Sequence, residues 1–147
     1  MTTFAASRNL RARPDEVFDT VAHIDQLAQA LPHVIRYEFL TEQTRGVGTR
    51  FRDVRQMGKR EQPTDLEITE YVPCERVRLI SVAGGTLWDT VFQVKPVGDA
   101  TQLDLTMDAI AKNPLAWLMN ALIKGMIQKA LEKDMDYIQE YCNAKSR

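Results

Sequence analysis

Cysteine is scarce in this chain: of 147 residues only Cys74 and Cys142 carry a thiol, and no histidine stands beside either at metal-ligand spacing. A disulfide framework and a zinc site are excluded, and two isolated buried thiols are expected. Long apolar runs are missing too. No window approaches the roughly 18 apolar residues of a membrane span, and Met1 to Arg8 lack the apolar stretch of a signal peptide, so a soluble, cytoplasmic protein is expected. Net charge is nearly absent, with 19 Lys and Arg against 20 Asp and Glu giving −1. That offers no global field for nucleic acid or an anionic membrane, and polyanion binding would need a local patch. The signatures GxGxxG, GxxxxGK(S/T), HExxH and GxSxG do not occur, so the familiar phosphate, zinc-protease and hydrolase chemistries have no short motif to rest on, and no cofactor or metal is expected.

What is present is 44% apolar and 27% charged residues, the mix of one globular domain over residues 1–147. A chain this long buries roughly two thirds of its unfolded surface, enough for a core that needs no staple and has room for a pocket. Thr2 to Arg11 alternates, with Phe4, Ala6, Arg8 and Leu10 on one face, and predicts a first strand. Pro14 opens a helix with Asp15 and Glu16 in its first turn and an apolar stripe of Val17, Phe18, Val21 and Ala22. Asp25 is the expected N-cap of a second short helix carrying Leu27, Ala28 and Leu31, which Pro32 ends.

The period then changes to two. Strands are predicted over Val34 to Thr41, Thr49 to Met57, Leu66 to Tyr71, Val77 to Val82, Leu87 to Val94 and Gln102 to Ile110, separated by short turn compositions that make antiparallel neighbours. From Asn113, an expected cap followed by Pro114, a helical pattern runs to about Cys142. Leu115, Leu118, Met119, Leu122, Met126, Ala130 and Ile138 recur at helical spacing, so that face is expected to be buried, and Gly125 points to a bend or a close approach. The α+β chain therefore reads as a seven-stranded curved antiparallel sheet wrapped around one long C-terminal helix, with two short helices after the first strand.

This order, together with the phrases Ala12-Arg13-Pro14-Asp15-Glu16-Val17-Phe18, Gly46-Val47-Gly48-Thr49-Arg50-Phe51 and Ile68-Thr69-Glu70-Tyr71-Val72-Pro73-Cys74-Glu75-Arg76-Val77, resembles the START and Bet v 1-like helix-grip superfamily. Within it the chain is most similar to the polyketide cyclase/dehydrase and lipid-transport group. The resemblance covers nearly the whole chain and implies a deep, largely apolar cavity between helix and sheet, used by relatives for lipids, polyketides and hormones. Some relatives catalyse cyclisation or dehydration there, and others bind or carry.

Alternation places Phe51, Asp53, Arg55 and Met57 on the inner side of the third strand and Arg50, Arg52 and Val54 on the other. Asp53 and Arg55 then read either as a polar handle, Arg55 holding a carboxylate or carbonyl and Asp53 acting as base, or as a mutual ion pair near the cavity mouth. Arg45, Arg50, Arg52, Arg55, Lys59 and Arg60 form a basic excess, in which Arg50 and Arg52 are expected to pair with Asp65 and Glu67 across strands. Trp88, Thr90, Phe92 and Val94 share a face, with the Trp88 indole N–H available to a ligand or simply packed. Met57, Met107, Met119 and Met126, with Leu122, are expected to face inward as adaptable pocket lining or as core filler. Glu70 and Tyr71 are ambiguous, since strict alternation sends Glu70 inward unless a bulge intervenes. His23 and His33 read as surface or capping residues. Trp117 reads as a lid residue or part of an oligomer contact.

The first expectation is a binding domain for a hydrophobic, lipid- or polyketide-like small molecule, monomeric or homodimeric and without affinity for nucleic acid. Its pocket would be lined by Phe51, Met57, Trp88, Thr90, Met107, Met119, Leu122 and Met126. The alternatives are a cyclase or dehydrase using Asp53, Arg55 and Tyr71, and a module that binds another macromolecule.

Overall fold

The computed structural model describes residues 1–146. Its elements follow one another as β1 (Thr2–Leu10), α1 (Pro14–Ala22), α2 (Ile24–Ala30), β2 (Arg36–Phe39), β3 (Arg50–Met57), β4 (Arg60–Val72), β5 (Arg76–Ala83), β6 (Thr86–Val97), β7 (Ala100–Ala111) and α3 (Pro114–Lys145). The strands form one antiparallel sheet in the order β1-β7-β6-β5-β4-β3-β2. Hairpins join β3 through β7 in sequence, so only β1 reaches its partner β7 over a long connection.

The concave face follows from alternation. Phe4 lies opposite Met107, Met107 opposite Thr90, Thr90 opposite Leu79 and Leu79 opposite Ile68, a single row running across five strands. At one end of the concavity α1 and α2 drop Val17, Phe18, Val21, Ile24 and Leu27 onto the sheet, giving a core that also holds Val77, Phe92, Leu103 and Leu105. Burying such side chains contributes roughly 1.5 to 3 kcal/mol each relative to exposure, and this end of the sheet is where that gain is concentrated.

The long helix α3 packs on β1 and β7 and touches α1 and α2. Asn113 caps it, its side-chain oxygen accepting from the Ala116 backbone N–H at 2.8 Å. The same end is pinned to the β5–β6 turn, where Lys112 N–H donates to the Gly85 carbonyl at 2.8 Å and Asn120 donates to the Thr86 hydroxyl at 2.8 Å. A side chain at Gly85 would meet Asn113 and Ala116, so the glycine lets the helix start close to the turn.

Several expectations are corrected. The buried stripe of α3 is Ala116, Asn120, Met135, Ile138 and Cys142, with Ile123, Ile127 and Leu131 half-buried between. Leu115, Leu118, Met119, Leu122, Met126 and Ala130 all lie exposed on a neighbouring face. Helical spacing reveals that an apolar face exists without saying which of two adjacent faces meets the sheet. Gly125 has open space where a side chain would go, so it marks no close approach. Strand β4 begins at Arg60 rather than Leu66, because pairing with β3 carries the polar run through Pro63. Helix α2 begins at Ile24 with His23 at the cap position, leaving Asp25 in the first turn. Ala28 in the same helix is exposed. Cys142 is buried, whereas Cys74 is exposed in a turn at φ 62°.

Candidate functional site

Strand β3 sends Phe51 and Asp53 into the concave side, both nearly fully buried, and Arg55 follows two residues on. A buried charge needs partners, and Arg55 has two. Its Nε and Nη2 donate to the Asp53 carboxylate at 3.0 and 3.2 Å. Its Nη1 and Nη2 donate to the two oxygens of Asp134 on α3 at 3.0 and 2.9 Å. Burial disfavours the guanidinium charge, but hydrogen bonds and attraction from Asp134 and Asp53 outweigh it and hold Arg55 above its ordinary range. Asp134 also meets His33 Nε2 at 2.8 Å, and the His33 ring stacks on Tyr137 at 4.7 Å. Tyr37, opposite Asp53 on β2, has its phenol pushed upward first by burial and then by the Asp53 charge.

This network bridges sheet and helix. It links β3 to the C-terminal half of α3 and to the segment after α2, three elements that approach one another only in the folded chain. The basic excess around it is neutralised as expected on the outer face, where Arg52 meets Asp65 at 2.7 Å and Arg50 meets Glu67 at 3.8 Å.

Tyr71 belongs to a different place. The register shift between Ile68 and Glu70 turns Tyr71 inward, where it packs edge-on against Phe18, while Glu70 receives Arg76. The Tyr71 hydroxyl lies 3.0 Å from His23 Nε2, and burial raises its pKa. Along β4, Tyr71 is seven residues beyond Thr64, the partner of Asp53, a separation of about 20 Å at strand rise. The three polar residues singled out for catalysis therefore do not converge. His23 is buried rather than superficial, and its Nδ1 has no hydrogen-bond partner.

Between the two polar clusters the concave face carries Trp88, Thr90 and Leu66, all half-buried, and Met107, which is buried. The Trp88 N–H donates to the Ala83 carbonyl at 3.3 Å, so the indole is committed to the turn and not left for a ligand. Ser81, opposite Trp88, is buried and its hydroxyl has no partner. Met57 lies exposed at the end of β3, and Met119, Leu122 and Met126 are on the exposed side of α3. Two open clefts lie elsewhere on the surface. One of about 280 Å³ runs along α3 beside Lys133, Asp136, Tyr137 and Glu140. Another of about 380 Å³ lies by Ser7, Gln93 and Asp104. Among the described residues no group of His, Cys, Asp and Glu is placed to hold a metal ion, and no helix is long and apolar enough to cross a membrane.

Asp134, His33, Tyr37 and Ser81 escape a reading of the sequence as candidates for this region. Asp134 left one signal, since it falls on the same helical face as Leu131, Met135 and Ile138, where a carboxylate needs a cation from elsewhere.

A seven-stranded antiparallel sheet curved around a long C-terminal helix, with two short helices after the first strand, is the α+β helix-grip architecture. The chain belongs to the family described as polyketide cyclase / dehydrase and lipid transport, which it matches over residues 1–142. Its fold is shared with TTHA0849 from Thermus thermophilus, at 22% identity and a TM-score of 0.80 over 99% of this chain and 100% of the other. It is also shared with norcoclaurine synthase from Thalictrum flavum, solved with a transition-state analogue, at 14% identity and a TM-score of 0.78 over 99% and 96%. The di-domain aromatase/cyclase BexL of the BE-7585A biosynthetic pathway is similar at 15% identity and a TM-score of 0.75 over 95% of this chain and 46% of its own. No protein of curated function matches the chain.

Proposed function

We propose that the protein binds a hydrophobic small molecule, lipid- or polyketide-like in its apolar bulk, against the concave face of the sheet beneath the N-terminal half of α3. The observation that carries this reading is the contrast between the two ends of the concavity. One end is filled by α1 and α2, whereas at the other Trp88, Thr90, Leu66 and Tyr37 stay half-buried and Ser81 offers a buried hydroxyl without a partner. An apolar ligand bearing one hydroxyl or carbonyl would cover the first set and satisfy the second. Phe51 and Met107 form the floor, and family membership favours such a ligand.

Binding is favoured over proton transfer because Asp53 and Arg55 already satisfy one another and Arg55 is held further by Asp134. The cluster then serves to fix α3 over the sheet and to border the ligand. Titration with an uncharged apolar fluorophore such as 1-aminoanthracene tests the reading. Saturation near one probe per chain is expected, and enhancement that rises without saturating overturns it.

A further inference from the structure

The N-terminal half of α3 displays an apolar surface to solvent that nothing in the fold covers. Leu115, Leu118, Met119, Leu122 and Met126 follow one another at helical spacing, and Leu115 and Leu122 are 70% and 71% exposed. Trp117, 61% exposed, extends the surface around the helix. Rotating the helix to hide this face is blocked, because Ala116 at Gly85, Asn120 on Thr86 and the buried Met135, Ile138 and Cys142 fix its opposite side. The outer face of the sheet, which points away from α3, is also apolar near the start of the helix. There Val82, Leu87 and Ile110 form one cross-strand row, with Val82 and Ile110 exposed, four residues before α3 begins.

Charge distinguishes this patch from the rest of a near-neutral chain. Between Asp108 and Glu132 the charged residues are Lys112, Lys124 and Lys129, with no carboxylate among them. All three are exposed, and none is in an ion pair among the described residues. Lys129 and Lys133 continue the line of Leu122 and Met126 along the helix.

We propose that the N-terminal half of α3 docks on an anionic lipid surface, its apolar side chains entering the headgroup boundary and its lysines resting on the lipid phosphates. A helix that lies in the interface pairs an apolar face bearing Trp and Leu with a cationic border, and each lysine near an anionic leaflet adds to the attraction. The contact places the surface against the helix that roofs the concavity, but it needs no ligand to form.

Co-sedimentation of the ligand-free protein with phosphatidylcholine vesicles, with and without phosphatidylglycerol, tests this. Binding is expected to anionic vesicles, about tenfold or more weaker without phosphatidylglycerol, and falling with added salt. Leu118→Ser with Leu122→Ser is expected to weaken it at least tenfold, and Lys124→Gln with Lys129→Gln roughly tenfold. All four positions are exposed, so unchanged unfolding midpoints are expected. In a Trp88→Phe background the emission of Trp117 shifts to the blue on binding. Absence of sedimentation, equal binding to neutral vesicles, binding unaffected by either pair of substitutions, or self-association abolished by the leucine pair without vesicle binding would each overturn the proposal.

Discussion

Asp134 accepts two hydrogen bonds from Arg55 and meets His33, so its carboxylate joins a strand, a helix and a connecting segment through one side chain. Replacing it with alanine leaves the Arg55 charge half-answered in a largely buried place. The expected loss is about 2 to 3 kcal/mol, below that of a fully buried pair because Arg55 keeps some solvent access, and a lower urea midpoint at an unchanged slope would record it. His23 offers a pH signature. Burial and the nearby Arg45 hold its pKa below the ordinary 6.5, against the opposite pull of Asp19 and Asp25. The unfolded chain therefore binds this proton at higher pH than the native chain does. The stability associated with neutral His23 is complete above about 6.5 and is lost as the pH falls from there through the lower folded value. The difference in unfolding free energy between wild type and His23→Gln is expected to shrink over that window, and a constant difference would show that His23 does not titrate differently in the two states. Of these residues the sequence exposed Asp53 and Arg55, since alternation within one strand assigns them a face. Asp134 lies 79 residues from Arg55 and His33 lies 101 from Asp134, distances that no local pattern spans.

The two glycines near α3 make opposite demands on that element. Gly85 sits at φ 74°, and a Cβ there would come within 2.8 Å of the Asn113 side chain and 3.3 Å of Ala116. Gly85→Ala is expected to cost about 1 to 3 kcal/mol, from the left-handed backbone and the displaced helix start. Gly125 lies in regular helix with open space beside it, so Gly125→Ala is expected to add up to about 1 kcal/mol. Thermal unfolding of the two variants should move in opposite directions, and a destabilised Gly125→Ala would mean that the helix bends or packs there after all. At this scale the run of antiparallel strands and the cap of α3 were readable from alternation, turn residues and the Asn113-Pro114 pair, whereas the cap of α2 falls on His23 and not on Asp25. The start of β4 was not, because Glu61 to Asp65 carry no apolar alternation and are strand only through pairing with β3. The facing of α3 was not readable either, since over its first half the stripe that meets solvent is more apolar than the one that meets the sheet, which includes Asn120.

Across the whole molecule, a formal charge of −1 conceals an uneven distribution. Arg50, Arg52 and Arg78 on the sheet meet cross-strand acids, whereas the start of α3 carries lysines with none among the described residues. Composition alone offers no global field for an anionic surface, and the proposed contact rests on the placement of Lys112, Lys124 and Lys129 near exposed leucines. The proposed ligand and the proposed surface contact address two sides of the same helix. Whether a hydrophobic ligand lies on the concave face at Thr90 is decided by titrating 1-aminoanthracene into wild type and Thr90→Trp side by side. Thr90 sits between Leu79 and Met107 on the row that crosses the sheet, so an indole there would stand where the proposed ligand lies. Saturable binding to wild type and its loss in Thr90→Trp, at an unchanged unfolding midpoint, is the predicted result. Equal binding by the two proteins would contradict it.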